Sequence, residues 1–238
     1  MTKLFIVGTP IGNLEDITLR ALRILKEVDV IACEDTRVTL KLLNHFEISG
    51  KKLITYNNFN EGNGAKGILK LIEENNLKVA LVSDAGMPVV SDPGFELIRQ
   101  AIKSNVKFEL IPGVSASICA FTLSSFSNTF TFHGFIKDKT QQRINQLNSL
   151  DEQAHIFFVS PHKLLGTLED IDSVFAQNAD VFLGKELTKL HEEHYRGSAQ
   201  ELLNIFKEKD SIKGEFTMVL KTIKIKKNKY SKYSKNND

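Results

Sequence analysis

The chain has 238 residues, of which 42% are hydrophobic and 25% are charged, values typical of a globular protein with a packed core. No apolar run approaches the roughly 18 residues that a membrane-spanning helix needs, and the start of the chain lacks the design of a signal peptide. The formal net charge of +2 excludes a chain that is strongly acidic or strongly basic throughout.

Short apolar runs rich in β-branched residues alternate with segments of helical period through the first half of the chain. This alternation predicts an α/β fold with a largely parallel sheet. We predict strands at residues 4–7, 30–32, 53–55, 79–82 and 108–111. The helices between them are predicted at residues 18–26, 39–46, 65–74 and 95–103.

A second set of strands and helices follows, and it predicts a second α/β domain. Its strands are predicted at residues 131–135, 155–159, 181–183 and 216–221, and its helices at residues 141–150, 163–171 and 199–206. We place the domains at residues 1–113 and 114–222, followed by a disordered lysine-rich tail at residues 223–238. A boundary after Asn128 is the alternative, because a helix predicted at residues 115–124 could belong to either domain.

Charge and cysteine usage bear on partners and location. The last 18 residues carry seven Lys and one Asp, so the rest of the chain is mildly acidic. Such a tail is either a solvated end or an electrostatic arm for nucleic acid, helped by Tyr230 and Tyr233 between the lysines. Cys33 and Cys119 lie in apolar segments and offer no disulfide framework, which predicts reduced thiols in a cytoplasmic protein.

A loop with two similar turns follows the strand predicted at residues 79–82. Its sequence, LVSDAGMPVVSDPG, has Ser-Asp-x-Gly at residues 83–86 and again at residues 91–94. Phosphate-binding loops combine Gly with Lys, whereas this loop has carboxylates and no Lys. It therefore favours a ligand with an amine, a ribose diol or a positive centre over a triphosphate. The alternative for Asp84 is an Asx turn, and for Asp92 we favour the N-cap of the helix that begins near Phe95.

Two further glycine-containing loops follow other strands of the first sheet. Residues 8–13 follow the first strand, and residues 111–116 follow the fifth. Because ligand sites of parallel sheets lie beyond the carboxyl ends of the strands, we expect the three loops to line one cleft with their backbones.

Six motifs occur in order along the chain: TPIGNLEDITLRAL, ACEDTR, LVSDAGMPVVSDPG, IPGVSA, SPHKLL and ELTKLHEE. Together they resemble the ribosomal RNA small subunit methyltransferase I family of the tetrapyrrole methylase superfamily. The resemblance runs from about Leu4 to Leu220 and leaves out only the tail. It implies two α/β domains with S-adenosylmethionine (SAM) in the cleft between them, usually in a homodimer. It also implies methyl transfer to the 2′-oxygen of a cytidine ribose in the RNA of the ribosomal small subunit.

The resemblance further implies a set of cofactor-binding residues. SAM has no phosphate, but its sulfonium, ammonium and ribose diol can be bound by an Asp or by backbone carbonyls. The expected cofactor-binding residues are Pro10, Ser83, Asp84, Ala85, Gly86, Val89, Pro112, Ser115, Ala116, Phe158 and Glu186. The last two come from the second domain and are expected against the adenine.

Candidates for catalysis and substrate contact follow from the same resemblance. The reaction needs sulfur, carbon and oxygen in line and a base or acceptor for the hydroxyl proton. Glu34 and Asp35 are the candidate catalytic residues. The alternative is an N-terminal charge pair on the following helix, with Arg37 as the salt-bridge partner. The expected substrate-binding residues are Asn13, Arg37, His162, Lys189, His191 and Arg196. Asn13 could instead hold its own turn, and His162 could cap the helix that it opens.

The segment HEEHYRG does not predict a metal site. His191 and His194 are three residues apart, whereas a zincin helix has His residues four apart, and no third ligand is evident. RNA contact by this segment and a plain solvated loop remain the two interpretations.

The chain departs from the family pattern at several positions. Val159 stands where the family commonly has Glu, Phe158 where it has Tyr, and Met87 where Thr is usual. The segment around Asp138 is less basic than in the family. Two alternative functions therefore stay open: a tetrapyrrole C-methyltransferase of the same superfamily, and a ribosome-binding protein without turnover.

Overall fold

The computed structural model describes residues 3–223, which form ten strands and eight α-helices. The first half contains β1 (Leu4–Val7), α1 (Leu19–Glu27), β2 (Val30–Cys33), α2 (Thr36–His45), β3 (Lys52–Thr55), α3 (Glu61–Glu73), β4 (Val79–Leu81), α4 (Phe95–Lys103), β5 (Phe108–Ile111) and α5 (Ala116–Ser124). The second half contains β6 (Phe130–Phe135), α6 (Thr140–Asn148), β7 (Ala154–Val159), α7 (Leu164–Phe175), β8 (Ala179–Lys185), β9 (Glu193–Gly197), α8 (Ala199–Lys207) and β10 (Phe216–Thr222). Within these residues, no helix combines the length and the apolar character that a membrane crossing requires.

The contacts divide the chain into two units. The first comprises the residues up to Cys119 together with Glu186–Glu193, and the second comprises Ala120–Lys185 and the described residues from His194 onward. The boundary predicted after Gly113 stays a prediction. Residues 224–238, which make up nearly all of the predicted tail, lie outside the described residues.

The first unit is built on a five-stranded sheet with the order β3-β2-β4-β1-β5. All four strand pairs are parallel, so the carboxyl ends of the strands meet at one edge. Side chains alternate between two cores: Leu4 and Ile6 of β1 pack on one face, and Phe5 and Val7 pack on the other. Burial on both faces explains why β1 and β4 read as continuous apolar runs rather than as alternating ones.

The second unit contains a mixed five-stranded sheet with the order β6-β7-β10-β8-β9. The strand β6 is parallel to β7, and β10 is antiparallel to both of its neighbours. One face of this sheet packs on α6, α7 and α8 through a core that includes Phe157, Leu168 and Phe206. The prediction of two α/β domains is confirmed as a fold class. The sequence had not indicated β9, because its residues EHYRG show no apolar alternation.

Candidate active site

Backbone hydrogen bonds join the three glycine-containing loops at the carboxyl edge of the first sheet. The Thr9 amide donates to the Gly86 carbonyl at 2.9 Å, and the Gly86 amide donates to the Thr9 carbonyl at 3.1 Å. The Gly8 amide donates to the Ile111 carbonyl at 2.9 Å. The Thr9 hydroxyl also donates to the Ser83 carbonyl at 3.2 Å. The expectation that these loops come together is therefore met within the first unit.

The first and third loops approach each other so closely that neither tolerates a side chain at the contact. A Cβ on Gly8 would lie 2.7 Å from the Gly113 nitrogen and 2.6 Å from the Met87 sulfur. A Cβ on Gly113 would lie 2.9 Å from the Gly8 Cα. The Gly113 amide donates to the Met87 sulfur at 3.2 Å. Met87, at a position where the family has Thr, thus fills the junction and accepts a hydrogen bond there.

The remaining residues of the second and third loops have less regular backbones. Val89 has a positive φ of 77°, which is unusual for a β-branched residue, and its amide donates to the Pro93 carbonyl at 3.3 Å. Pro112 is exposed, and the hydroxyl groups of Ser115 and Ser117 lie 2.9 Å apart where α5 begins at Ala116.

Asp35 and Asp84 connect the ends of β2 and β4. The Asp35 amide donates to Asp84 Oδ1 at 3.0 Å. The Asp35 carboxylate caps α2 by accepting from the Arg37 amide at 2.8 Å, and it also pairs with the Arg37 guanidinium. The hydrogen bonds from Arg37 lower the pKa of Asp35 to about 2. Asp35 and Arg37 therefore form the N-terminal charge pair that was the alternative for this motif, and an acid this strong is a poor proton acceptor.

Glu34 and Asp92 share the electrostatic environment of Asp84. Burial raises the pKa of Glu34, and the charges of Asp84 and Asp35 raise it further. Burial is also the main cause that raises the pKa of Asp92 to about 6, assisted by the charges of Glu34 and Asp84 and opposed by a hydrogen bond with Ser83. Burial likewise raises the pKa of Asp84. Desolvated carboxylates that face one another are typical of sites that handle protons.

The prediction that Asp92 is the N-cap of α4 is wrong. The N-cap residue is Gly94, which has no side chain, and the Glu61 carboxylate accepts hydrogen bonds from the amides of Gly94 and Glu96 instead. Since its cap is supplied from another part of the chain, α4 leaves Asp92 among the carboxylates described above. Asp92 is the one member of this group that the sequence did not identify, although its Ser-Asp-x-Gly turn repeats that of Asp84.

A cavity of about 270 Å³ opens beside these loops in the first unit. It is lined by residues 9–12 of the first loop, by one face of α2, and by Ser83, Asp84 and Ala85. Pro10 of the expected cofactor-binding set also lies on its wall. Its size is near the lower end of small-molecule sites, and its walls are mainly apolar, with Asp84 and Lys41 as the charged residues.

The segment Glu186–Glu193 belongs to the first unit by its contacts. The Lys189 side chain packs against Gly12 of the first loop, and Lys189 Nζ pairs with Glu186 Oε1 at 3.0 Å. Thr188, whose amide donates to Glu192 Oε2 at 2.5 Å, and Glu186 both have positive φ angles. Lys189, predicted for the substrate, thus lies against the first loop, and Glu186, predicted for the cofactor, is its ion-pair partner. The Asn13 side chain accepts from the Glu15 amide at 3.0 Å and holds its own turn. The His191 side chain is exposed.

The site residues predicted in the second unit have mainly packing contacts. The Phe158 ring meets the rings of Phe132 and Phe135 edge to face, with centroids 5.1 and 5.5 Å apart. The Arg196 guanidinium donates to the carbonyls of Ser124 and Leu123. His162 is exposed in a short 3-10 helix, Pro161–Lys163, and makes no cap there. Binding roles for these residues stay predictions.

Val159, which stands where the family commonly has Glu, is a core residue. Val159 is 2% exposed and belongs to the core of the second unit. No group of three His, Cys, Asp or Glu side chains within residues 3–223 is arranged to hold a metal ion.

Comparisons with known proteins place these observations in context. A family model described as Tetrapyrrole (Corrin/Porphyrin) Methylases matches residues 3–203. Ribosomal RNA small subunit methyltransferase I of Mycoplasmopsis pulmonis is 53% identical over 220 residues, which cover 92% of this chain and 97% of that protein. The protein of the same name from Thermotoga maritima is 45% identical over 222 residues, covering 92% and 98%. Among solved structures, a diphthine synthase covers 92% of this chain and 89% of its own with a TM-score of 0.68; at 18% identity it supports the fold alone.

Proposed function

The chain belongs to the tetrapyrrole (corrin/porphyrin) methylase family, and we propose that it is a SAM-dependent methyltransferase that acts on small-subunit ribosomal RNA. Two relatives that match nearly their whole length bear the name ribosomal RNA small subunit methyltransferase I. The observation that carries the proposal is the junction of three loops at one sheet edge, with Asp84 beside a cavity and no basic residue in the loop at residues 83–94.

The residues at this edge fit SAM chemically. The close approach of Gly8 and Gly113 leaves main-chain groups rather than side chains at the junction, and Asp84 adds a carboxylate. Carbonyl oxygens and a carboxylate suit the ammonium group and the ribose diol that SAM has. When bound, SAM supplies a methyl group on a sulfonium. The residues proposed to hold it remain those expected from the sequence, with Pro10, Ser83, Asp84 and Ala85 on the cavity wall.

Glu34 is the residue that we propose as proton acceptor for the ribose 2′-hydroxyl of a cytidine. Burial, and then the charges of Asp84 and Asp35, raise the pKa of its carboxyl, so its carboxylate is a stronger base than that of an ordinary Glu. Asp35, the neighbour of Glu34, caps the start of α2, and its carboxylate forms an ion pair with Arg37. A positioned base contributes about 10²–10⁴ in rate, and the same order of loss is expected for Glu34→Gln.

A homodimer in the cytoplasm completes the proposal. The edge strand β5 supports it, because Phe108 and Leu110 are exposed large apolar residues on a strand that, within residues 3–223, pairs with another strand on one side only. Leu19 of α1 is 86% exposed. Exposed apolar strand edges are usually covered by a partner. Light scattering coupled to gel filtration tests the dimer, and a monomer at micromolar concentration would contradict it.

Methyl transfer to purified small subunits tests the activity. Subunits from cells that lack the enzyme are incubated with SAM labelled in its methyl group, and the product RNA is hydrolysed in alkali. A 2′-O-methyl group blocks cleavage at its own nucleotide, so label in an alkali-resistant dinucleotide that begins with cytidine is the expected result. Label in mononucleotides would show instead that the methyl group is on a base, because a methylated base does not block cleavage by alkali.

The same assay separates the two alternative functions. Uroporphyrinogen III in place of the subunits tests a tetrapyrrole C-methyltransferase, and label in the macrocycle would favour it. Calorimetry with SAM tests the cofactor. SAM binding without transfer to either acceptor would favour a ribosome-binding protein without turnover, and absence of SAM binding would contradict both methyltransferase readings.

A further inference from the structure

The helix α4 begins without a cap from its own sequence. Its N-cap residue is Gly94, with a φ of 142°, and no side chain of the preceding turn bonds to its first amides. Glu61, which lies 33 residues earlier in the chain at the start of α3, supplies the cap. Its Oε1 accepts from the Gly94 amide at 2.8 Å and from the Glu96 amide at 3.0 Å. A carboxylate at this place satisfies two orphan donors and faces the positive end of the helix dipole.

Glu61 is itself held from the core of the first unit. The Tyr56 hydroxyl lies 3.4 Å from Glu61 Oε1, and Tyr56 is 1% exposed. Burial is the main cause that raises the pKa of Tyr56, and the Glu61 charge adds to it, so the hydroxyl stays protonated as a donor. Tyr56 also packs against Gly64 of α3, where a Cβ would lie 2.7 Å from the ring. The Glu61 carboxylate is therefore also held by the hydroxyl of a buried ring.

The turn that precedes α4 is one that the chain would not adopt without support. Val89 and Ser91 have positive φ angles of 77° and 69°. A Cβ on Gly94 would lie 2.8 Å from Val89 and 3.0 Å from Leu81, so the turn is closely packed onto β4. Such backbone conformations cost about 1–3 kcal/mol each and persist only where their surroundings enforce them. Asp92 lies inside this turn.

We propose that Glu61 is a positioning residue: by capping α4 it holds the turn at residues 87–94, and thereby Asp92, against Ser83, Glu34 and Asp84. The inference rests on the proposed function, because it concerns the carboxylates of that site. Glu61 has no recorded contact with the carboxylates of Glu34, Asp84 or Asp92. It acts only through the backbone of Gly94 and Glu96.

The charged groups that face Asp92 come from two strand ends. Burial is the main cause that raises the pKa of Asp92 to about 6, and the charges of Glu34, which follows β2, and of Asp84, which follows β4, raise it further. Glu96, on the helix that the turn begins, is paired instead with Arg99 at 2.8 Å and with Gln100 at 2.6 Å. The pKa of Asp92 therefore depends on how closely the turn lies against the ends of β2 and β4.

NMR titration of the Asp92 carboxyl carbon measures this pKa, and Asp92→Asn assigns the resonance. In Glu61→Ala we expect the pKa of Asp92 to fall by about one unit or more toward the ordinary value, because the released turn exposes it to solvent. In Glu61→Gln the amide oxygen still accepts both hydrogen bonds, so the pKa of Asp92 should stay within a few tenths of the wild-type value. Glu73→Ala, on the exposed last turn of α3, is the matched control and should change nothing.

Turnover gives the second readout. With the labelled-methyl assay we expect kcat to fall about tenfold in Glu61→Ala and to recover in Glu61→Gln. If Glu61→Ala does not fold, Glu61→Asp keeps the charge but withdraws the oxygens by one methylene, and an intermediate fall in the pKa of Asp92 is expected.

A folded Glu61→Ala or Glu61→Asp protein with an unchanged Asp92 titration would overturn the inference. Absence of methyl transfer in the wild type would count against the proposed function instead, since the titration is independent of activity.

Discussion

The two units place their predicted site residues in different kinds of structure. In the first unit these residues lie on loops with positive φ angles, glycine contacts and carboxyl groups of raised pKa. In the second unit they lie on a regular strand or donate to carbonyls, as Phe158 and Arg196 do. Strained backbone and perturbed pKa values concentrate where chemistry is done. We therefore expect the chemical steps to take place in the first unit, whereas binding roles for the residues of the second unit stay predictions.

The largest expected effect tests the packing of the second unit. Val159→Glu should lower the free energy of unfolding by about 4 kcal/mol, because it buries a carboxylate among apolar side chains with no partner. Urea denaturation measures the loss. Val159→Ile, the control, should cost less than about 1.5 kcal/mol. Wild-type stability in Val159→Glu would mean that the position is open to solvent and can host the carboxylate common in the family.

The next effect concerns the junction of loops in the first unit. Gly113→Ala should destabilise the protein by about 1–3 kcal/mol and weaken SAM binding at least about tenfold, because its Cβ would meet the Gly8 backbone at 2.9–3.2 Å. The matched control is Gly67→Ala in α3, where a Cβ meets nothing within 4 Å. That substitution should stabilise the protein by about 0.5–1 kcal/mol. Equal changes in stability and in SAM affinity for the two variants would show that the junction tolerates a side chain as well as an exposed helix position does.

A charge substitution then separates recognition from stability. Asp84→Asn keeps an oxygen that accepts from the Asp35 amide but removes the negative charge. We expect the Kd of SAM to rise about tenfold, equivalent to about 1.4 kcal/mol, with unfolding little changed. Calorimetry measures the Kd, and Asp180→Asn on the exposed side of β8 should leave it unchanged. A loss of stability without loss of affinity would make Asp84 a structural turn residue.

The smallest effect is a pH dependence of stability. Asp92 has a pKa of about 6 in the folded protein and a lower one when unfolded, so the folded state binds more protons between about pH 4 and pH 6. Its ionisation therefore makes the folded state less stable as the pH rises through this window. Asp92→Asn should flatten this dependence and stabilise the protein by roughly 1 kcal/mol at pH 7, allowing for solvent screening. Parallel urea curves at pH 4, 5, 6 and 7 measure it, and a wild-type slope in the variant would place the titrating group elsewhere.

Local pattern was sufficient for the regular elements of the first unit. The strands β1 and β5 and the helix α4 have the predicted bounds, because apolar runs and helical spacing are dictated by burial on the faces of the sheet. The helix α2 begins at Thr36 rather than at residue 39, because Asp35 caps it with help from Arg37. The meeting of the three loops followed from the parallel topology alone.

Contacts between distant residues were beyond the reach of local pattern. The cap of α4 comes from Glu61, and Asp92 looked like a cap only because it precedes Pro93. The bonds of Arg196 to residues 123 and 124 likewise depend on tertiary structure. The site residues that the sequence identified lie in loops marked by Gly, Pro and Ser-Asp turns. Supporting residues such as Glu61 have no distinctive sequence around them.

The segment Glu186–Glu193 makes the order of synthesis matter. The first unit includes this segment, yet the ribosome delivers it only after β6, β7 and β8 have been made. A nascent chain that stops near Cys119 lacks the Lys189 that packs on Gly12. The last part of the first unit therefore becomes available only late in translation, and a fragment cut after Cys119 lacks it.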